Sequence, residues 1–246
     1  MLLMLTSVAF AEEEIAWQKQ VSGISYYQYP LPSQSSIANS FVHLFLFPLD
    51  AFEFDIALAN DLNTKRRDVK SMAKSDKADF AINAHFFDPE GDVLGLLIKN
   101  NTELHPMHKG GGLLTGIFYI ENNLPKFSYR NNYSASNPNI AIQSGPRLIE
   151  NGKRTAIKTN EAYSRRSGIA ITKDNQILIF ATELRFPGAT LLDIQKILSN
   201  PRLNIRDALN FDGGSSSQVY TTLLDSGEFY ISGGDIVPTA LIARKK

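Results

Sequence analysis

The chain has 246 residues, 43% hydrophobic and 10% aromatic, which is enough apolar material for a substantial core. Its formal net charge of zero argues against a general polyanion binder, and the absence of cysteine excludes disulfides and thiolate metal sites. No Pro/Ser/Gly-rich linker divides it, so a single domain is expected.

Met1-Leu-Leu-Met-Leu-Thr-Ser-Val-Ala-Phe-Ala11 is a short apolar run ending in an A-x-A cleavage pattern, with Glu12-Glu-Glu14 as a hydrophilic start after it. The run is too short to span a bilayer. It lacks a positive n-region, which fits a start codon further upstream. The expectation is an exported chain, periplasmic or secreted, with a signal peptide at 1–11 and one domain at 12–246. No later stretch is long and apolar enough for a transmembrane anchor.

Val21 to Tyr29, Phe41 to Phe47 and Phe52 to Leu58 alternate as strands, closed or broken by Pro30, Pro32 and Pro48. Tyr26, Tyr27 and Tyr29 read as core aromatics, with a glycan-binding platform as the other reading. Thr64 to Lys77 places Val69, Met72 and Ala73 at helical spacing, which predicts a surface helix. A buried strand over Ala78 to Asn83 then delivers Asn83, His85 and Asp88 before Pro89 and Gly91 force a turn. Asn83, His85 and Phe87 share a face if the strand persists.

Val93 to Lys99 reads as a strand. His105-Pro-Met-His108 and Gly110-Gly-Gly112 read as a flexible loop that covers a site. The two histidines have metal-ligand spacing but no clear third ligand. Leu113 to Ile120 reads as a strand, so the triple glycine lacks the context of a phosphate loop. Ile140 to Ile149 is a strand interrupted by Ser144-Gly-Pro-Arg147. Arg165-Arg-Ser-Gly168 precedes a strand at Ile169 to Thr172, and Asp174-Asn175 turns it into Gln176 to Thr182. Paired arginines at a strand entry suit a bidentate anion clamp, or form an ordinary solvated turn. Leu191 to Leu198 is helical by spacing. The strand ending at Phe211 delivers Asp212 into Gly213-Gly214, followed by Ser215 to Ser217. That segment reads as a pocket floor or as a plain Asp-Gly turn. Val219–Leu224, Phe229–Ser232 and Ile236–Ala243 close the chain as strands. Strands outnumber helices, so the fold class expected is α+β: a large, mainly antiparallel or mixed sheet with a few flanking helices.

Four segments share one trait, a buried strand meeting a polar, glycine-bearing turn: Asn83–Asp88, Gln143–Arg147, Arg165–Gly168 and Asn210–Ser217. In this order, and with Asp235-Ile-Val-Pro-Thr-Ala-Leu241 at the end, they resemble the phosphodiester glycosidase family from about Asn39 to Ala243. Ala84 and His85 stand where that family has glycines, and Phe211 replaces an aliphatic residue. The resemblance implies hydrolysis of a sugar-1-phosphodiester at the anomeric C–O bond, with no cofactor required and no nucleic acid partner. Because phosphate leaves readily, the tasks left to the protein are clamping it, stabilising oxocarbenium-like charge and activating water. It implies Asp212 as general base or charge stabiliser, Asp88 as its partner and His85 as a proton shuttle. Arg147, Arg166 and, less centrally, Arg165 would hold the phosphate. Asn83 would bind sugar hydroxyls or orient Asp212, and so would Ser215; Ser144, Gly145, Gly213, Gly214 and Ser216 complete the expected substrate contacts. A divalent cation between Asp212 and Asp88 has only two carboxylates behind it. Rival readings are an envelope glycan hydrolase or lyase without phosphodiester specificity, and a non-catalytic glycan-binding protein.

Overall fold

The computed structural model describes residues 15–31, 40–157, 162–183 and 188–246. The expected leader at 1–11 lies outside the described residues. The largest sheet has eight strands, in the order Gln18–Lys19, Ser25–Leu31, Ser40–Phe47, Ile177–Thr182, Ser167–Thr172, Ile205–Asn210, Arg147–Glu150, Lys153–Arg154. A five-stranded sheet runs Leu124–Tyr129, Gly116–Glu121, Ile140–Ser144, Leu97–Lys99, Thr102–His105. A second runs Gly227–Ile231, Val219–Leu224, Phe80–Asn83, Thr239–Lys245, Phe52–Leu58, and Phe86–Phe87 pairs with Val93–Leu94.

One large sheet was expected; the described residues form three larger sheets and a two-stranded one, and every pairing is antiparallel. The reason is local. Antiparallel neighbours need only a tight turn, whereas parallel ones need a crossover of a dozen or more residues. Asparagine pairs supply such turns. Asn100 and Asn101, and Asn122 and Asn123, all have positive φ, from 50° to 60°. They sit between the paired residues Lys99 and Thr102, and Glu121 and Leu124. Two left-handed residues in a two-residue loop match the twist of the flanking strands. Glycine at Gly95 divides the expected Val93–Lys99 strand into two. The α+β label therefore holds only loosely, through two short α-helices, Val69–Ser75 and Leu191–Leu198.

Strand alternation sorts the apolar residues into layers. Ile169, Ile171, Ile177, Ile179 and Leu209 of the large sheet face inward, against Phe80, Ile82, Phe118, Ile142 and Leu241 of the other two. Ala170, Leu178, Phe180 and Ala208 face outward, under Ile194, Ile197 and Leu198 of one helix. Ala81, Ala240 and Ile242 pack under Val69, Met72 and Ala73 of the other. Thr190 and Asp193 form a capping box that starts the Leu191–Leu198 helix. Tyr26 belongs to the core: its hydroxyl lies 2.7 Å from His43 Nδ1, and burial pushes it up to about 12. Tyr27 and Tyr29 are half-buried and pack on the outer helix layer.

Gly168 lies opposite Asn210 in the large sheet. A Cβ there would run into the Phe180 ring and the Leu209 carbonyl. Gly168→Ala is expected to cost about 1–3 kcal/mol by overpacking. A urea titration reads this as a lower midpoint at unchanged slope; an unchanged midpoint would contradict the packing.

Candidate active site

The three sheets meet at Asp212. Ile205–Asn210 brings the chain to it from the large sheet, Phe80–Asn83 ends beside it from the second sheet, and Ile140–Ser144 from the third runs into Gly145, whose carbonyl is bonded by Asn210 two residues before Asp212. The Asp212 carbonyl accepts two hydrogen bonds, from Asn83 Nδ2 at 2.6 Å and Ser167 Oγ at 2.8 Å. Asn83 Oδ1 accepts the Gln218 N–H at 3.1 Å, so one buried amide spans the turn from Asp212 to Gln218. Asn210 Nδ2 donates to the carbonyls of Phe211 at 2.6 Å and Gly145 at 3.0 Å, which fixes the Ser144–Pro146 segment beside the same strand end. Asn83 thus orients Asp212, and both ends of its amide are spent on backbone.

The Asp212 carboxyl is half-buried and pushed up to about 6. Burial is the main cause, and the nearby Asp235 carboxylate adds to it; a Ser216 hydroxyl bond and the Gly213 N–H pull the other way. Gly213 has to lack a side chain, because a Cβ would stand 2.9 Å from the Arg165 carbonyl. Gly214 has φ +60° and donates its N–H to that carbonyl at 2.8 Å. Ser215 is exposed and donates its hydroxyl to Asp235 Oδ2. Ser144 Oγ, Asn210 Oδ1, Ser217 Oγ and Arg165 Nε are buried without a hydrogen-bond partner among the described residues. Leaving such atoms unpaired costs about 1–3 kcal/mol each, and their concentration around one turn marks it as a place for polar contacts from outside the chain.

Arg165 and Arg166 flank the turn. Arg165 Nη2 donates to the Ser217 carbonyl and, at 2.7 Å, to that of Ser232. Arg166 donates from Nε to Ala189 O at 3.0 Å and from Nη2 to Ala162 O at 2.7 Å. Burial pulls both guanidinium groups below their usual range. Among the described residues neither has a carboxylate partner.

The other expected residues lie elsewhere. Arg147 is committed: Nη2 reaches Asp207 Oδ1 at 2.6 Å, Nη1 reaches Glu150 Oε1 at 3.3 Å, and the guanidinium stacks 4.5 Å from the Tyr129 ring. His85 is fully buried, because the strand ends at Asn83 and the chain turns inward. Its Nδ1 lies 2.9 Å from Thr239 Oγ1, its Nε2 3.0 Å from Leu96 O, and burial lowers it to about 4. A neutral ring with both nitrogens engaged does not shuttle protons. Asp88 accepts the Asp92 N–H at 2.8 Å within its own turn. The acid whose charge reaches Asp212 is Asp235, expected only as the start of the closing segment although Gly233-Gly234-Asp235 repeats the composition of the Asp212 turn.

No group of three or more His, Cys, Asp or Glu with metal-site geometry occurs among the described residues. His105 Nδ1 lies 2.8 Å from Gly95 O. The glycine loop expected to be flexible is tied down. Gln143 Oε1 accepts the N–H of His108 at 2.9 Å, its Nε2 donates to His108 O and Leu114 O, and Arg130 donates to Gly110 O and Gly111 O. Two clefts flank the region: one of about 570 Å³ with Lys65, Asp92, His105 and Thr239 in its walls, one of about 530 Å³ beside Pro146 and Arg147. Asp212 lines neither.

A model of the phosphodiester glycosidase family matches residues 76–243. No curated protein matches the chain by sequence. Among solved structures, the catalytic domain of zebrafish N-acetylglucosamine-1-phosphodiester alpha-N-acetylglucosaminidase, auto-inhibited by its pro-peptide, superimposes with a TM-score of 0.68 at 18% identity over 91% of this chain and 83% of that one. A hypothetical protein from Synechocystis gives 0.62 at 15% identity over 95% of this chain and 64% of that one. At these identities the likeness shows the fold.

The Asp212 carboxyl carries a sign test. Its folded pKa near 6 exceeds the ordinary value of 3.8, so the native state holds its proton more tightly than the unfolded chain. This contribution is full below about pH 4 and is lost as pH rises through 6. Asp212→Asn removes the burden of an ionised buried acid and is expected to be more stable than wild type above pH 6, by roughly 1–3 kcal/mol, with the gap closing toward pH 4. Thermal unfolding of both proteins across that range measures it; a gap independent of pH would refute the assignment.

Proposed function

The chain belongs to the phosphodiester glycosidase family, and from that premise we propose that it hydrolyses a sugar-1-phosphodiester at the anomeric C–O bond. The observation that carries the reading is the Asp212 turn: a half-buried acid pushed up to about 6 by burial, fixed through its own carbonyl, beside two arginines that have no carboxylate partner among the described residues. Asp212 takes a proton from water as the water oxygen bonds to the anomeric carbon. The C–O electron pair leaves with the phosphate, which departs as a phosphomonoester, and the proton then passes to solvent. Arg165 and Arg166 hold the phosphate oxygens. Asn83 and Ser167 act as positioning residues through the Asp212 carbonyl. Arg147 and His85 serve the scaffold instead.

The test is release of free sugar and phosphomonoester from a panel of sugar-1-phosphodiesters. Wild type is expected to turn over at least one, with kcat/KM rising through about pH 6 as Asp212 ionises. Asp212→Asn is expected to lose about 10²–10⁴ of kcat. Arg166→Ala is expected to act mainly on KM. Full activity of Asp212→Asn would remove it from the mechanism.

Export is part of the same proposal. The apolar run at 1–11 with its A-x-A end directs the chain to the periplasm or medium, where an envelope glycan would be the substrate. Sequencing the N-terminus of the mature protein from a bacterial host should begin near Glu12; retention of Met1 in the cytosolic fraction would refute it.

A further inference from the structure

We propose that the cleft of about 530 Å³ beside Pro146 is the subsite for the leaving alcohol, and that it takes an apolar alkyl or aryl group. This rests on the reading of the Asp212 site given above. Leu113, Pro146, Ile157 and Leu191 supply apolar walls, the polar Thr115 stands among them, and Arg147 is at the floor.

Position comes first. Arg147 pairs with Leu209 in the large sheet, three residues before Asp212. At strand spacing that is about 10 Å along the strand. The Ser144–Pro146 segment fills the interval, held by Asn210 through the Gly145 carbonyl and by the Asn210 N–H to Pro146 O at 3.1 Å. A phosphate at the Asp212 turn therefore carries its second ester toward this cleft, past Gly145.

Charge comes second. Arg147 would favour an anionic group if it were unpaired. Its partners Asp207 and Glu150, with Arg206 Nε on Asp207 Oδ2 at 3.0 Å, bring the cluster to two cations and two anions. The floor has no net charge to offer a second anion.

Hydrogen bonding comes third. The Thr155 hydroxyl donates to the Arg147 carbonyl, and the Tyr129 hydroxyl donates to Glu150 Oε2 at 3.3 Å. Arg147 Nε is a buried donor without a partner among the described residues, but it is one donor against the several hydroxyls of a sugar, and burying the rest without partners is costly. An alkyl or aryl group carries no such cost, and each methylene it buries raises affinity about fourfold.

The experiment has two arms. In the first, calorimetry compares methyl phosphate, octyl phosphate and a hexose 6-phosphate as ligands of the wild-type protein and of Leu113→Asp and Ile157→Asp. Both positions are partly solvent-accessible, so at least one variant is expected to fold. Octyl phosphate should bind wild type at least tenfold more tightly than methyl phosphate, and both substitutions should erase the difference. Equal binding of the two alkyl phosphates, tighter binding of the hexose phosphate, or a preference that survives both substitutions would overturn the proposal. In the second arm, methyl and octyl esters of each sugar-1-phosphate are compared as substrates. An octyl-to-methyl ratio of kcat/KM above ten, lowered in the variants, supports it. If no ester is hydrolysed at all, the reading of the Asp212 site fails, and the calorimetric arm still decides the cleft.

Discussion

The peptide carbonyl of Asp212 is the joint on which the rest of the site depends. Two side chains from different sheets, Asn83 and Ser167, donate to it, and its own N–H lies 3.3 Å from the Ala84 carbonyl. A typical hydrogen bond contributes only about 0.5–1.5 kcal/mol net, but a buried group stripped of its partner costs more than that. Because the Asn83 amide uses both its ends and Asn210 donates to the Gly145 carbonyl, shifting the large sheet against either neighbour would leave a buried polar group unpaired. The network specifies one arrangement of the sheets and, with it, one direction for the Asp212 side chain.

Two glutamines extend the same logic outward. Gln218 accepts the N–H of Val69 at 2.9 Å and donates to Asp235 O at 2.9 Å, which ties the first helix and the Asp235 loop to the Asp212 turn. Gln143 does the equivalent for the glycine loop through Leu96, His108 and Leu114. Both glutamine side chains are fully buried. Loops built from glycine and serine would be entropically loose on their own. Here each is held by a buried amide, so glycine-rich composition coexists with a fixed backbone.

What the sequence made legible follows from this. The Asn83, Ser144, Arg165 and Asp212 segments stood out because polar residues interrupt apolar strands there, and the fold brings those strand ends together. The α+β expectation missed the partition into separate sheets because strand periodicity tells which face is buried and not which strands pair; the second sheet, for instance, pairs Phe80–Asn83 with Val219–Leu224 and Thr239–Lys245 from far along the chain. His85 and Arg147 sit differently from their expected places for another reason. His85 meets Thr239, 154 residues away, and Arg147 meets Asp207, 60 residues away. Which side of a turn a polar residue faces is decided by such distant partners, and local spacing carries no trace of them. Asp88, expected at the strand's exit as the partner of Asp212, instead accepts the Asp92 N–H within its own turn. Tyr26, read as core, lies in the core.

The separation of charges at the turn keeps a carboxyl of raised proton affinity and two guanidinium groups apart from one another. Had either arginine paired with Asp212, the carboxyl would have fallen below its ordinary range and the guanidinium would have been neutralised. Both properties would then be lost to the same ion pair. Instead the arginines spend hydrogen bonds on neutral carbonyls of Ser217, Ser232, Ala162 and Ala189, which orient them without cancelling their charge. Asp212 meets only a hydroxyl, an N–H and the like charge of Asp235, so its proton affinity stays high. Asp235 is held in place by the Ser215 hydroxyl, in the same glycine turn that lets the backbone approach Arg165. The turn thereby sets the affinity of the base and the orientation of the cations together, and a bound phosphate would find positive charge that no residue of the described chain has already neutralised.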